Sequence, residues 1–260
     1  MRSLSIAATG MLAQQLNVEV ISNNIANMNT TAYKRQRAEF QDLLYQDQRR
    51  VGSTSSDAGT VVPAGIQLGL GVRTAAVYRI PSQGNLTLTD APLDIALQGK
   101  GYFQVTLPSG DVAYTRAGSF QLSANGEIVT PDGYLLQPSI SIPKTALGVT
   151  INVSGEVLVD TGTTTPTTAG QIQVATFANE VGLVALGQNL LKESPASGSP
   201  QTGTPGSTGF GTTLQGFLET SNVDVVSEIT NLITAQRAYE MNSKVIETSD
   251  QMLQTATNLR

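Results

Sequence analysis

Residues 222–260 constrain the fold most, because they carry a regular helical seam. Bulky apolar side chains recur every seven positions, at Val225, Leu232, Tyr239, Ile246 and Leu253. Small or short polar residues follow three places later, at Ala235, Asn242, Ser249 and Ala256. Intervals that alternate between four and three residues place these side chains along one stripe of a helix, where they can pack against a neighbouring helix. The spacing therefore predicts a long helix with a helical partner.

Local signals place the ends of this helix. Ser221 followed by Asp224 resembles a capping box with Asp in place of Glu, which predicts a helix start near Asn222. Neither Gly nor Pro occurs from Val223 to Arg260. The helix can therefore run for about 35 residues, or roughly 50 Å.

The N-terminal residues carry a matching seam. Apolar residues recur there at intervals of three, four or seven positions, at Leu4, Met11, Val18, Ile21, Ile25 and Met28. Neither helix has enough apolar surface to be stable alone, so we predict that the two ends pair and are ordered by packing against further copies. Gln14, Asn242 and Ser249 are polar at seam-like positions, and our hypothesis is that they set the register of the helices.

The middle of the chain has the pattern of a β-rich domain. Alternating apolar and polar residues predict strands at 86–89, 102–107, 149–153 and 172–177, and tight-turn residues occupy 108–111, 124–127 and 131–133. Residues 35–45 fit either a helical turn or a connecting strand. The Pro, Gly, Ser and Thr residues of 194–211 predict an exposed loop.

The predicted fold class is therefore α+β. Long N- and C-terminal helices, residues 1–30 and 222–260, pair as a coiled-coil-like inner domain. A mainly β central domain spans 72–204. Residues 31–71 and 205–221 connect the two, and within them 46–71 has the composition of a flexible linker.

Composition narrows the possible functions. The chain has no Cys and no His, which excludes thiolate and imidazole chemistry and the commonest metal ligands. A net charge of −5 without a basic cluster disfavours nucleic acid as a partner. No apolar run approaches the ~18 residues needed to cross a bilayer. Polar residues interrupt the N-terminal apolar stretch, so we expect export without a cleaved signal peptide.

Three features could carry chemistry, and each has a simpler reading. Gly99-Lys100-Gly101 lacks the spacing of a phosphate loop and precedes a strand-like segment. Ser119 has no His to activate it. Carboxylates stand at Asp90, Asp94, Asp111, Glu127 and Asp132, beside turns where Asp is expected for conformational reasons. We therefore predict no enzymatic activity, no cofactor and no metal site. A hydrolase that uses Asp94 or Asp132 is the enzymatic alternative.

Motifs at both ends resemble a known family. Ser22-Asn23-Asn24-Ile25-Ala26-Asn27, followed by Tyr33-Lys34, closely resembles the N-terminal signature of bacterial flagellar rod and hook proteins. Residues 219–224, which include Ser221 and Asn222, and residues 236–242, which include Arg237 and Tyr239, resemble the C-terminal signature. Many members have Gly where this chain has Ala32, and Ala disfavours the positive φ angle that Gly adopts freely.

The resemblance implies a function that composition alone does not. Residues 46–71 resemble an extra segment of distal rod proteins that stiffens the tube, which implies a distal rod subunit. Such a subunit self-assembles helically into a rigid hollow tube in the flagellar basal body, is exported by the flagellar type III system and transmits torque across the periplasm. The implied partners are further copies of the chain, proximal rod and hook subunits, and surrounding ring proteins, without nucleic acid or membrane insertion. The alternatives are a proximal rod or hook-like subunit, or a secreted β-rich adhesin.

Overall fold

A computed structural model describes residues 2–49, 64–162 and 165–258. It confirms the α+β class, with two terminal helices in contact and a β-rich central part. The chain forms two compact units. Unit 1 comprises residues 1–26, 36–78 and 224–260, and unit 2 comprises residues 27–35 and 79–223. The domain boundaries expected from the sequence stay a prediction.

The two helices are α1, Arg2–Ala26, and α2, Val225–Asn258. A short 3-10 helix spans Glu180–Gly182. The described strands are β1 Gln36–Asp42, β2 Tyr45–Arg49, β3 Ile66–Gly69, β4 Val72–Arg79, β5 Leu86–Leu88, β6 Ile95–Gln98, β7 Tyr102–Thr106, β8 Val112–Thr115, β9 Gln121–Leu122, β10 Ile128–Val129, β11 Leu135–Gln137, β12 Gly148–Ile151, β13 Glu156–Asp160, β14 Thr167–Gln171, β15 Val174–Thr176, β16 Val184–Gly187, β17 Leu190–Lys192, β18 Gln201–Gly203, β19 Thr212–Gln215 and β20 Phe217–Glu219.

Unit 1 contains the helix pair and two small sheets. Strand β1 pairs with β4, and β2 pairs antiparallel with β3. Residues 35–45 thus supply strand β1, which settles the choice between a helical turn and a strand. Both ends of the stretch 46–71 belong to β2 and β3, and its residues 50–63 lie outside the described residues. Neither α1 nor α2, the helices of the described chain, is apolar enough along its length to cross a membrane.

The helix ends differ from the sequence prediction in two places. Helix α1 ends at Ala26, four residues before the predicted boundary at residue 30, so Met28 lies in the turn beyond the helix. Helix α2 begins at Val225, three residues after Asn222. The reason is that Asp224 is the N-cap: its Oδ1 accepts hydrogen bonds from the backbone N–H groups of Val226 at 3.0 Å and Ser227 at 3.3 Å. The Ser221 hydroxyl instead accepts from Val223, before the helix.

Unit 2 is organised around a nine-stranded sheet. Its main path runs β16-β17-β8-β7-β11-β10-β9, with β15 and β18 attached beside β7. One face of the sheet packs on the largest core cluster, which contains Phe103, Val105, Leu136, Val157 and Ile172 with almost no exposed area. Such burial supplies most of the stabilisation, at roughly 25 cal/mol per Å² of apolar surface.

The predicted strands largely form, since β5, β7, β12 and β15 lie within or across the four predicted segments. All three predicted tight turns are present, with Gly110, Gly126 and Gly133 at φ between 83° and 89°. The exposed loop predicted at 194–211 is wrong in its middle. Residues 201–203 pair with β15 as strand β18, and Ser197 is buried. Backbone pairing requires no apolar alternation at an edge strand, so composition concealed it.

Gly118 permits a close backbone approach inside unit 2. A Cβ atom there would lie 1.6 Å from the carbonyl oxygen of Ile95, whose N–H donates to the Gly118 oxygen at 2.9 Å. We expect Gly118→Ala to lower the free energy of unfolding by about 3 kcal/mol or more, because neither backbone can move away. Urea denaturation followed by circular dichroism measures this. Gly148→Ala, where nothing lies within 4 Å of the new methyl group, is the control, and equal losses would contradict the explanation.

Candidate assembly interface and connector cluster

The helices α1 and α2 pack antiparallel in a heptad register. Ser249 donates to the Ser3 hydroxyl at 3.4 Å, a Cβ atom at Gly10 would lie 3.0 Å from Asn242 Nδ2, and Asn24 Nδ2 donates to Glu228 Oε2 at 3.1 Å. From one contact to the next, the residue number rises by seven and then by fourteen on α1, and it falls by the same steps on α2. A constant step shows that the register does not slip over three heptads.

Burial along the pair is greatest at the small and polar positions. Ala235 and Ser249 of α2 are buried, as are Ala7 and Ala13 of α1. Among the bulky seam residues only Ile21 is buried, and Tyr239 is 43% exposed. Met28, in the turn beyond α1, is 37% exposed. The remaining seam residues are partly buried: Leu4, Met11, Val18, Ile25, Val225, Leu232, Ile246 and Leu253. Small residues let the helix backbones approach closely, which leaves larger side chains at the edges of the contact.

Large apolar side chains also remain on the outside of the pair. Helix α1 exposes Ile6 and Leu12. Helix α2 exposes 43–75% of Val226, Ile229, Ile233, Tyr239, Met241, Val245 and Met252. Val245 and Met252 are seven residues apart, each one position before a seam residue, Ile246 or Leu253. An exposed apolar surface of this extent is typical of a protein interface.

Asn24 joins the helix pair to strand β1. Its Nδ2 donates to the carbonyl oxygen of Gln36 at 2.8 Å, and its Oδ1 accepts from the Gln36 N–H at 2.8 Å. The same Nδ2 donates to the buried carboxylate of Glu228. Glu228 was not predicted from the sequence. The available signal was a charged residue three places after Val225, where the other repeats of the seam have small or short polar residues.

Replacing Asn24 should therefore destabilise unit 1. We expect Asn24→Ala to lower the free energy of unfolding by about 2–4 kcal/mol, because it leaves buried polar groups of Gln36 and Glu228 with fewer partners. Thermal unfolding followed at 222 nm, where helix dominates, measures the change. Ser22→Ala, an exposed position on the same helix turn, is the control, and a similar small effect at both sites would contradict this role.

The remaining N-terminal motif residues lie around the end of α1 and in unit 2. Asn23 and Ala26 are exposed on α1, and the Asn27 side chain accepts from the Thr30 hydroxyl at 3.1 Å. Ala32 follows with φ of 57°, so the positive angle expected of Gly occurs here with Ala. The expectation from residue type was wrong because tertiary contacts hold the backbone: the Ala32 N–H donates to the Glu219 carbonyl at 2.8 Å.

Two connecting segments of unit 2, residues 27–35 and 219–223, are bonded to each other. The Asn222 N–H donates to the Tyr33 carbonyl at 3.4 Å, and the Asn222 Oδ1 accepts from the Arg35 N–H at 2.7 Å. Asn222 Nδ2 donates to the carbonyl oxygens of Ile80 and Ser82, each at 3.0 Å. The motif residues Tyr33, Lys34, Ser221 and Asn222 are thus brought together in space.

Lys34, Arg116 and Glu219 form a buried group that we call the connector cluster. The Glu219 side chain is fully buried and pairs with Lys34 Nζ at 2.5 Å and with Arg116 Nε at 2.7 Å. Its Oε1 also accepts from the Gly84 N–H at 2.8 Å. Glu219 stands in the C-terminal motif, residues 219–224, but no spacing along the chain indicated that it meets Arg116.

The electrostatics of the connector cluster reflect burial and pairing. Burial lowers the pKa of Lys34, and the nearby carboxylate of Glu219 only partly opposes this effect. Burial tends to raise the pKa of Glu219, but the positive charges of Arg116 and Lys34 outweigh it, so that pKa lies below its ordinary value of 4.5. Both cations therefore favour the ionised carboxylate.

Neutralising Glu219 should be costly. We expect Glu219→Gln to lower the free energy of unfolding at pH 7 by about 3–5 kcal/mol, because two buried cations lose their counter-ion. Asp111→Asn is the control, since the Asp111–Lys192 pair is about half exposed, and its loss should cost less than about 1 kcal/mol. Urea denaturation followed by the near-ultraviolet circular dichroism of the tyrosines measures both.

The acid dependence follows from the lowered pKa of Glu219. A depressed pKa stabilises the fold above pH 4.5, and this stabilisation is lost as the pH falls through the folded-state pKa. The difference between the wild type and Glu219→Gln should thus be largest at neutral pH and shrink below pH 4.5. A difference that does not change with pH would contradict the assignment.

The candidates for chemistry have structural roles. The carbonyl oxygens of Gly99 and Gly101 accept from Arg116, at 2.6 and 2.7 Å, so this loop presents acceptors rather than phosphate-binding donors. Asp94 accepts from the Thr89 hydroxyl, and Glu127 from that of Ser139. Asp90 has a positive φ of 58° after strand β5, Asp132 lies in a turn, and Ser119 forms an isolated bridge with Asp94. Within the described ranges, no three acidic residues are placed to hold a metal ion.

Family models match three parts of the chain. Residues 4–34 match "Flagella basal body rod protein", and residues 214–259 match "Flagellar basal body rod FlgEFG protein C-terminal". Residues 96–159 match "Flagellar hook protein FlgE/F/G D1 domain". The first two ranges contain the terminal helices and most of the connecting segments, and the third lies in unit 2.

Full-length relatives extend the similarity. The chain is 62% identical over 261 residues to the flagellar basal-body rod protein FlgG of Caulobacter vibrioides, with 100% of both chains covered. It is 39% identical to FlgG of Bacillus subtilis over 265 residues, covering 100% of this chain and 99% of that one. The flagellar hook-basal body complex protein FlhP of the same bacterium is 30% identical, again over both full lengths.

Proposed function

Since this chain belongs to the family of flagellar basal-body rod proteins, as a structural subunit of the distal rod, we propose that its copies self-assemble helically into a rigid hollow tube. Its role is structural and not enzymatic, and it is a component of the flagellar hook-basal body complex. In the tube, the terminal segments 1–30 and 222–260 line the inner wall. The central domain, residues 72–204, forms the outer layer, and 31–71 with 205–221 connect them.

The exposed apolar surface of the helix pair carries this proposal. Side chains such as Val226, Met241 and Met252 are 65–75% exposed on a helix whose opposite side already packs against α1. Covering each of them would contribute about 1.5–3 kcal/mol. The exposed apolar residues beside the seam, together with the partly buried seam residues of both helices, are therefore the proposed assembly surface, in which each pair packs against several neighbours.

The stretch 46–71 is proposed to stiffen the tube by packing between neighbouring copies. Its described parts belong to the two-stranded antiparallel sheet of β2 and β3, where Ile66 and Leu68 are 49% and 42% exposed. Two isolated strands are marginal in water, so contact with a further copy would stabilise them. Residues 50–63 of the stretch lie outside the described residues.

The same proposal names the neighbours and the mechanical role. The tube ends contact proximal rod subunits on one side and hook subunits on the other, and ring proteins surround the outer layer. Torque passes along the tube because bending or twisting it would break contacts that each subunit makes with several others. Rigidity is thus a collective property of many modest apolar contacts.

Polymerisation of the purified chain tests the proposal. We expect the wild type to form hollow tubes in negative-stain electron microscopy. Met252→Lys should raise the concentration needed for assembly about tenfold or more, because a charge replaces an apolar contact. The neighbouring variant Gln251→Lys, at a position that is also exposed but polar in the wild type, should assemble normally. Equal assembly of both variants, or a wild type that stays monomeric at all concentrations, would overturn the proposal.

A further inference from the structure

A groove of about 550 Å³ runs between α1 and α2 in unit 1. Gln15, Val18 and Glu19 line it from α1, and Gln236, Tyr239 and Glu240 line it from α2. Val18 is partly buried and the Tyr239 ring is partly exposed, so the groove offers apolar and aromatic surface beside two carboxylates. Glu19 accepts a hydrogen bond from Gln15 at 3.2 Å. Neither carboxylate makes an ion pair within the part of the chain that is described.

Arg237 lies beside this groove but does not line it. Its side chain is exposed and makes no ion pair or hydrogen bond among the described residues, although Glu240 stands three residues on. Lys244, the next cation along α2, is bonded to Glu247 at 2.7 Å. The helix pair thus presents an unpaired guanidinium beside an anionic groove.

We propose that the Arg237 guanidinium of one copy occupies the groove of a second copy, where it bridges Glu19 and Glu240 over the ring of Tyr239. A guanidinium is planar and carries five donors, so it can serve two carboxylates at once while it stacks on an aromatic face. Its aliphatic stem would cover Val18. This inference rests on the proposed self-assembly, and it assigns a specific contact to it.

The geometry also favours a repeating contact. Donor and acceptor are different groups of the same helix pair, since Arg237 does not line the groove, so each copy can bind one neighbour through Arg237 and another through its groove. A head-to-tail contact of this kind propagates into rings or helical polymers, whereas a two-fold contact would end at a dimer. Because the contact pairs a cation with carboxylates, an orientation of the two copies that brings like charges together would be disfavoured.

Charge reversal in the full-length chain tests the proposal. We expect Arg237→Glu to raise the concentration needed for assembly about tenfold or more, as measured by sedimentation, because like charges would meet in the groove. The triple variant Arg237→Glu, Glu19→Arg, Glu240→Arg should restore assembly, since the attraction is re-formed with reversed signs. Lys244→Glu makes the same change in net charge on the same helix and should alter assembly about twofold at most.

The outcomes separate this inference from the proposed function. If the wild type does not polymerise, the proposed self-assembly fails. If the wild type and Arg237→Glu polymerise alike, or if the triple variant stays monomeric with wild-type helicity, the contact is wrong and self-assembly stands.

A second measurement tests the geometry should Arg237→Glu lose helicity. The chain has no cysteine, so copies carrying Glu19→Cys can be mixed with copies carrying Arg237→Cys and oxidised with copper phenanthroline. A disulfide-linked dimer is expected from this mixture in the assembled state. The matched mixture of Glu19→Cys with Lys244→Cys should give none. Equal yields from both mixtures, or no dimer from the first, would overturn the proposal.

Discussion

The antiparallel register of α1 and α2 is the constraint on which unit 1 depends. Ser3 meets Ser249 and Asn24 meets Glu228, so residues more than two hundred positions apart are held in one heptad pattern. Long helices of this composition gain little stability from propensity alone, and the contact with each other is what orders them. Small residues at the closest points let the backbones approach, and the larger apolar side chains are consequently left outside, available to further copies.

Unit 2 depends on a different interaction, the burial of Glu219 between Lys34 and Arg116. Removing three charges from water is expensive, and the cost is recovered only because backbone N–H and C=O groups complete the hydrogen bonding. This requirement holds the segments 27–35 and 219–223 side by side, and it explains why Ala32 keeps a left-handed backbone that its residue type disfavours. Unit 2 therefore combines an apolar core with a buried charged cluster whose residues tolerate few substitutions.

Prediction from the sequence succeeded where one local pattern decided the outcome. Heptad spacing indicated both helices, and Gly-containing turns indicated the bends at 108–111, 124–127 and 131–133. It placed the helix ends less well, since Asp224 caps α2 in place of Ser221 and Met28 falls beyond α1. It failed where a distant partner decided, since residues 201–203 become a strand because β15 lies beside them. Arg116 and Glu228 gave no local signal of their partners, since ion pairing and burial depend on distance in space and not on spacing along the chain.

By itself, the sequence determined that two seam-bearing helices flank a β-rich middle, and its terminal motifs determined the family. Both follow from periodicity and short contiguous patterns, which are properties of the chain before it folds. Only the tertiary structure decided the register of the helices, the partner of each buried charge and the apolar side chains left uncovered. These three features depend on which surfaces are buried when distant segments pack. A side chain is available to a neighbouring copy only if its own chain does not bury it.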